Sequence, residues 1–345
     1  MNDSKWMRKA LALAGKGWGR TSPNPMVGAV LVKSAKAVGS GWHQGAGKAH
    51  AETEALADAG RGARGATLYV TLEPCSTHGR TPPCTTAIIA AGVKRVVIGS
   101  LDPNPDHNWR AVEILRQNGV EAVIGVEKAA CRQLNEAFFC WVRYRRPFVV
   151  LKLAMTADGR IATHSGESKW ISCADSRGEV QHLRQWADAV LVGGETIRRD
   201  NPQLTVRTPP GWQRQPLRIV ASRSGRLGRQ PRVLKDGLAE TRVVRFTRDA
   251  QWHEFMTTLG DEGITALLVE GGGETAARLL RAGVVDKVAL FIAPLILGGT
   301  GSRPAVGGAN PPALIDGYRI RNMAATPSGD DILLTGYLSD VHRFD

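Results

Sequence analysis

No run of about 18 apolar residues occurs in the 345-residue chain, which excludes a membrane-spanning helix. The opening residues, Met1-Asn2-Asp3-Ser4-Lys5-Trp6, lack the apolar core of a secretory signal. Cysteine is scarce: five residues, an odd number, without the spacing of a disulfide scaffold. Cys131, Cys140 and Cys173 read as reduced thiols, so a cytoplasmic address is expected. Low-complexity segments, short-period repeats and the Gly-x-Gly-x-x-Gly dinucleotide fingerprint are all absent. Acidic residues are in deficit, 32 against 45 Lys and Arg, for a formal net charge of +13. Much of that excess lies between Arg198 and Arg248. A nucleic-acid face interleaves stacking aromatics with its basic residues. Here only Trp212 and Phe246 do so, and Gly and Pro interrupt the run. The pattern points to a solvated basic surface with a few phosphate contacts.

What is present is a globular chain, 43% hydrophobic and long enough for two domains. Its densest chemistry is His50-Ala51-Glu52, then Pro74-Cys75, then Cys84. His50, Cys75 and Cys84 are candidate ligands of a zinc ion, which takes nitrogen and thiolate donors and, in a catalytic site, keeps one position for water. Bound zinc lowers the pKa of that water to about 7, so a hydroxide nucleophile exists at neutral pH. Glu52 sits two residues past His50, and residues two apart on a helix face different ways. It is therefore read as the proton shuttle and not as a ligand. His-x-Glu followed by Pro-Cys is the signature of zinc deaminases. The usual second half is Pro-Cys-x-x-Cys, whereas here Ser76 to Pro83 separate the two cysteines.

The periodicity predicts alternating strands and helices throughout. In the first half, strands are expected over Met26–Val32, Ala37–His43, Ala66–Leu72, Lys94–Gly99 and Val120–Val126. Helices are expected over Ala49–Ala59, carrying His50 and Glu52 at its start, over Cys84–Ala91 and over Ala111–Asn118. A long helix is expected from Ala129 to Tyr144, broken by Arg145-Arg146-Pro147, where the domain boundary is placed. This gives domains 1–146 and 147–345. The alternation implies α/β architecture with mostly parallel sheets between helices. The second half restarts it with a strand over Phe148–Ala154, a helix over Ala174–Trp186 and strands at Ala189–Val192, Leu217–Ala221, Arg242–Phe246 and Ile264–Val269. The last of these runs into Glu270-Gly271-Gly272-Gly273-Glu274 and a helix to Arg281. Strand, glycines, then helix is a phosphate cradle in outline, because glycines let a phosphate approach the backbone and the helix N-terminus offers amides. Strands at Val288–Ala293 and Ile332–Leu338 close the chain.

Over essentially its whole length the chain resembles the bifunctional riboflavin-biosynthesis deaminase/reductase family. The first half matches at Pro23-Asn24-Pro25 through Gly28, Gly41-Trp42-His43, His50-Ala51-Glu52, Thr71-Leu72-Glu73-Pro74-Cys75, Gly79-Arg80-Thr81-Pro82-Pro83-Cys84 and Asp102-Pro103-Asn104-Pro105. The second half matches at Lys152-Leu153-Ala154 with Asp158-Gly159-Arg160, at Ser165 to Ile171, at Asp200 to Arg207, and at Val269-Glu270-Gly271-Gly272-Gly273. The resemblance implies a cytidine-deaminase-like N-terminal domain and a dihydrofolate-reductase-like C-terminal domain. It implies zinc-dependent removal of the 2-amino group from a diaminohydroxy-phosphoribosylaminopyrimidine, then reduction of the ribosyl group to ribityl by NADPH.

By the same resemblance, Asn24, His43, Arg80, Asp102 and Asn104 would bind the deaminase substrate. Ser168, Arg184, Leu204, Arg207 and Glu270 would bind the reductase substrate. Ala154, Trp170, Thr196, Asp200 and the Gly271-Gly272-Gly273 loop would hold the cofactor. That loop and the abundant arginine of the second half make NADPH the expected dinucleotide. The expected partner is a small phosphorylated pyrimidine, with no nucleic acid and no membrane, and the chain is expected to form a homo-oligomer.

Three positions depart from the family. Thr77 stands where His is usual, Asp106-His107-Asn108-Trp109-Arg110 replaces a Gly-Lys-Gly element, and Arg223 replaces a small polar residue. Two rival functions are a nucleic-acid deaminase acting on tRNA with a fused accessory domain, and a binding module held by a structural zinc with His78 as fourth ligand.

Overall fold

The computed structural model describes residues 2–77, 82–105, 107–309 and 311–339. The chain divides into two units, the first ending at Tyr144 and the second starting at Arg145. In the first unit, strands β1 (Gly28–Lys33), β2 (Lys36–Trp42), β3 (Thr67–Leu72), β4 (Arg95–Ser100) and β5 (Glu121–Ile124) form one sheet in the order β2-β1-β3-β4-β5. The α-helices are α1 (Asp3–Ala14), α2 (Ala51–Ala59), α3 (Cys84–Ala90), α4 (Arg110–Gln117), α5 (Lys128–Leu134) and α6 (Glu136–Tyr144). Side chains alternate across a strand, and here both faces are covered. Ala29, Leu31, Leu68, Val70, Val96 and Ile98 enter a core with Ala55 of α2, Ile88 of α3 and Leu115 of α4. Val30, Val32, Tyr69 and Val97 enter a second core with Trp6, Met7 and Ala10 of α1 and Cys131 of α5. Helix α1 lies so close to β1 that a Cβ at Gly28 would stand 2.0 Å from the Ala10 carbonyl oxygen. No side chain fits there.

Two expectations change in this unit. The sheet is only half parallel: β1 pairs antiparallel with β2 and β3, while β3, β4 and β5 run parallel. The cause of the β1–β2 pairing is the two-residue turn at Ser34-Ala35, both with positive φ (49° and 57°), since so short a loop can only return the chain antiparallel. The long helix expected from Ala129 to Tyr144 is two helices, interrupted at Asn135. The buried Asn135 amide accepts from the Met26 N–H (2.7 Å) and donates to the Met26 carbonyl (2.8 Å), and its backbone bends out of helical geometry.

The second unit carries an eight-stranded sheet in the order β10-β9-β8-β11-β6-β12-β15-β14. Its strands are β6 (Phe148–Thr156), β8 (Ala189–Gly193), β9 (Leu217–Ala221), β10 (Thr241–Val244), β11 (Ala266–Val269), β12 (Lys287–Ala293), β14 (Arg321–Ser328) and β15 (Asp331–Tyr337). Strands β7 (Arg160–Ala162) and β13 (Arg303–Pro304) pair separately. Helices α7 (Ala174–Trp186), α8 (Gly194–Asp200), α9 (Gln251–Asp261) and α10 (Gly273–Arg281) follow the alternation. From β10 to β12 all pairs are parallel, and only β15 and β14 run antiparallel. Val149, Leu151, Leu191, Ile219, Leu267 and Val269 face a core closed by Trp252 and Met256 of α9 and Leu279 of α10. The intervening Val150, Val190, Val192, Val220 and Leu268 are buried as well, as expected of parallel strands covered on both faces.

Part of the basic stretch from Arg198 to Arg248 is taken up in ion pairs. Arg198 and Arg199 pair with Glu195, Arg218 with Asp236 inside the fold, and Arg242 with Glu240 and Glu262.

Candidate functional site

In the first unit three local structures converge. His50 is the residue before α2, in extended geometry (φ −73°, ψ 158°), and so is not inside the helix as expected. Helix α2 is held against β2 because Gly41 has no Cβ; one would lie 2.4 Å from the Ala51 carbonyl oxygen. Cys75 follows the end of β3 by three residues, and Cys84 is the first residue of α3 after Pro82-Pro83. His50 Nδ1 lies 3.5 Å from Cys75 Sγ and 3.3 Å from Cys84 Sγ, and the three donor atoms are within 4.8 Å of one another. One imidazole nitrogen and two thiols at this separation fit a zinc ion with an open fourth position. Among the described residues no other group of His, Cys, Asp or Glu fits a metal. His78 and the substrate-binding candidate Arg80 lie outside the described residues.

Within that donor set it is the Cys75 thiolate that the surroundings favour. The Cys84 amide donates to Cys75 Sγ at 3.2 Å. Hydrogen bonds from the Cys84 thiol, then from His50 and that amide, outweigh burial and pull the Cys75 thiol well below its ordinary pKa. The Cys75 sulfur and burial push Cys84 the other way. Hydrogen bonding to Cys75 raises His50. Glu52 is the second residue of α2, is 3% exposed, and hydrogen-bonds the Cys84 thiol. Burial pushes its carboxyl up to about 7.

A cavity of about 300 Å³ opens beside these groups, lined by His50, Glu52, Cys75, Asn24, His43, Asp102 and Asn104. Of the first-unit site candidates that are described, only the buried Cys84 is missing from its wall. His43 Nδ1 faces the Ala49 carbonyl at 3.0 Å, which can only accept, so that nitrogen carries the proton. His43 Nε2 then accepts from the Asn24 amide at 3.1 Å. Burial lowers the His43 pKa and keeps this neutral form.

Sequence reasoning overlooked what Glu73 does. Its carboxylate accepts from the backbone N–H groups of Asp102, Trp109 and Ala111 (3.2, 3.2 and 3.1 Å) and so fixes the loop that presents Asp102 and Asn104. Its one signal was its place beside Pro74-Cys75.

In the second unit two cavities, about 440 and 290 Å³, share Ile161, Ser168, Thr196, Asp200 and Gly272 as a common wall. The larger reaches Gly272 and Gly273 at the start of α10. The smaller is lined by Ala154, Trp170, Arg184, Leu204, Arg207, Glu270 and Gly271. Every second-unit candidate therefore reaches one of the two cavities. At its centre Arg184 holds Glu270 by two hydrogen bonds of 2.6 and 2.9 Å, both side chains about 10% exposed or less. Arg184 also donates to the Thr205 carbonyl at 3.0 Å. Lys152 on β6 is buried in the same wall, and burial lowers its pKa against the charge of Glu270. Trp170 is 70% exposed, with the Arg177 guanidinium 4.6 Å from its ring centroid. Leu204 holds a positive φ of 58° while fully packed, a strained conformation of the kind found at ligand sites.

Comparison with known proteins finds chains that match across both units. The family model described as the RibD C-terminal domain matches residues 147–334. The model described as the cytidine and deoxycytidylate deaminase zinc-binding region matches residues 1–100. The riboflavin biosynthesis protein RibD of Aquifex aeolicus is 41% identical over 350 residues, covering 96% of this chain and 97% of its own. That of Escherichia coli K12 is 41% identical over 328 residues, covering 86% and 89%. Among solved structures, a diaminohydroxyphosphoribosylaminopyrimidine deaminase/5-amino-6-(5-phosphoribosylamino)uracil reductase from Thermotoga maritima is 37% identical. It superposes with a TM-score of 0.86 over 97% of this chain and 98% of its own. Acinetobacter baumannii RibD, form 1, gives 34% identity and a TM-score of 0.86 at the same coverage.

Proposed function

The chain belongs to the RibD family of riboflavin-biosynthesis proteins, and from that premise we propose how its two units divide the work. It is a bifunctional enzyme, a zinc-dependent pyrimidine deaminase and an NADPH-dependent reductase. The substrate is a small phosphorylated pyrimidine, 2,5-diamino-6-(5-phosphoribosylamino)pyrimidin-4-one. In this reading residues 1–146 deaminate it and residues 147–345 reduce the ribosyl group to ribityl. The observation that carries the deaminase half is the convergence of His50, Cys75, Cys84 and buried Glu52 on one cavity.

His50, Cys75 and Cys84 would hold the zinc, which supplies Lewis-acid activation of water. Asn24, His43, Asp102, Asn104 and Arg80 orient the pyrimidine and its phosphoribosyl arm. Glu52 takes a proton from the attacking water and returns it to the 2-amino nitrogen. The water oxygen bonds to the ring carbon, the carbon–nitrogen bond breaks and ammonia leaves. In the second unit, Ala154, Trp170, Thr196, Asp200 and Gly271 to Gly273 would hold the dinucleotide, which when bound would be the hydride source for the ribose C1. Ser168, Arg184, Leu204, Arg207 and Glu270 hold the pyrimidine substrate beside it. Positioning is the main requirement of that step. The shared wall of the two cavities supports this arrangement, because ligands bound in both would lie side by side.

Incubation with the diaminopyrimidine tests the whole reading by mass analysis. Without NADPH the product should carry oxygen in place of the 2-amino group, and with NADPH it should also gain two hydrogens. An unchanged substrate under both conditions would refute the function.

The metal assignment has its own test. Cys84→Ser replaces a thiolate by a poor zinc ligand, so the zinc content should fall well below the one ion per chain expected of the parent. Metal analysis showing equal stoichiometry in both would remove Cys84 from the ligand set.

No helix among the described residues is long and apolar enough to cross a membrane. A cytoplasmic homo-oligomer completes the proposal. The outer strand β14, exposed at every residue except Ser328, and the exposed Met323, Ile332, Leu314 and Ile315 offer an edge for a second copy.

A further inference from the structure

His107 lies on the wall of the first-unit cavity and belongs neither to the group of metal donors nor to the proton shuttle. It stands in the segment that departs from the family, Asp106 to Arg110. Its Nδ1 is buried and has no hydrogen-bond partner among the described residues. A buried polar atom left unpaired costs free energy, which a hydrogen bond from a ligand returns.

The loop fixes where the ring sits. The His107 amide donates to the Asn104 carbonyl at 2.9 Å, and the His107 carbonyl accepts from the Arg110 amide at 3.0 Å. Two residues on, Trp109 holds a positive φ of 67°, and its N–H donates to the Glu73 carboxylate at 3.2 Å. A bulky residue keeps that conformation only where its surroundings over-determine it, as they do at ligand clamps.

The chemistry of the wall selects what His107 would bind. Three carboxylates line the cavity, those of Glu52, Glu73 and Asp102, and its described lining holds no Lys or Arg. Arg110, the cation nearest in sequence, is exposed at the start of α4 and is not part of the wall. Of the other two imidazoles, His50 is a metal donor, and the neutral His43 accepts from Asn24 through Nε2. Burial raises the Asp102 carboxyl, and the Asn104 amide and then His107 oppose that rise, so His107 is within electrostatic reach of Asp102. An anionic group entering this cavity needs a donor that offsets the carboxylates. An imidazole N–H is such a donor, and phosphate oxygens are strong acceptors for it.

We propose that His107 binds the phosphate of the substrate's phosphoribosyl arm and sets the preference of the first unit for the phosphorylated pyrimidine. This rests on reading the cavity as the deaminase site.

The test is ammonia release by the full, zinc-loaded chain without NADPH. The two compounds are the diaminopyrimidine and its dephosphorylated form, and the proteins are the parent, His107→Leu and His107→Asn. His107→Leu keeps the bulk and removes both ring nitrogens. It should raise KM for the phosphorylated compound about 10-fold, keep kcat within about twofold, and leave KM for the dephosphorylated compound unchanged. His107→Asn places an amide nitrogen near the position of Nδ1 and should recover part of the loss. Zinc content and thermal unfolding should match the parent in both variants. An unaltered preference for the phosphorylated compound in His107→Leu overturns the contact and leaves the deaminase site standing. So does an equal loss toward both compounds, which would make His107 a support of the loop alone. A parent that releases no ammonia from either compound overturns the reading of the cavity, and the contact with it.

Discussion

Glu52→Gln should lower deamination by about 10²–10⁴-fold, the usual contribution of a general acid–base group, while zinc stays bound. Gln keeps the size of the side chain and leaves His50, Cys75 and Cys84 untouched, but it can no longer take a proton from water. Glu52 is buried against the Cys84 thiol and on the wall of the first-unit cavity, where it can exchange a proton with a water held by the metal donors. With already deaminated substrate, the variant should oxidise NADPH at close to the parent rate. With the diaminopyrimidine it should form little ribityl product. Absorbance of NADPH with each substrate in turn measures both. Joint loss of the two activities in a folded variant would refute the division at residues 146 and 147. Loss of neither would remove Glu52 from proton transfer.

Arg184→Met should destabilise the second unit by about 3–5 kcal/mol, the cost of leaving one partner of a buried ion pair uncompensated. Burial by itself would raise the Glu270 carboxyl; the charge and hydrogen bonds of Arg184, then Lys152 and Arg207, overcome it and hold the pKa below the ordinary carboxylate value. A depressed folded pKa stabilises above the unfolded value, near 4.5, and that contribution is lost as pH falls through the folded value. In Arg184→Met the main opposing charge is gone, so this acid-side loss should shrink or vanish. The double variant Arg184→Met/Glu270→Gln removes both charges and should recover part of the stability. Urea unfolding at pH 7 and at acid pH gives all three quantities. A loss under about 1 kcal/mol would place the pair among solvent-screened bridges.

The elements that could be read from the chain are those whose burial is written into it. Helix α7 coincides with the expected Ala174–Trp186, and β9 with Leu217–Ala221, because apolar residues recur at the right period between clear stops. Strand β14 had no such signal: with seven of its eight residues exposed, nothing alternates. The break at Asn135 was hidden for a different reason. It depends on a carboxamide meeting Met26, 109 residues earlier, which no local pattern records. The same division runs through the sites. His50, Glu52, Cys75 and Cys84 were legible because metal chemistry demands particular side chains close together in sequence. The partnership of Arg184 with Glu270, 86 residues apart, and the grip of Glu73 on the loop after β4 exist only once the strands are side by side.

The common wall of the two second-unit cavities has a pharmacological side. Ser168, Thr196, Asp200 and Gly272 face both spaces, so a ligand in one rests on the same residues as a ligand in the other. A pyrimidine-like fragment and a nicotinamide-like fragment, each weak alone, could be joined by a tether of a few atoms across that wall. Once one head is seated, the second binds at the effective concentration set by the tether, millimolar for short links. Affinity would then rise by far more than either fragment supplies, and a rigid tether that overshoots the wall would forfeit the gain entirely.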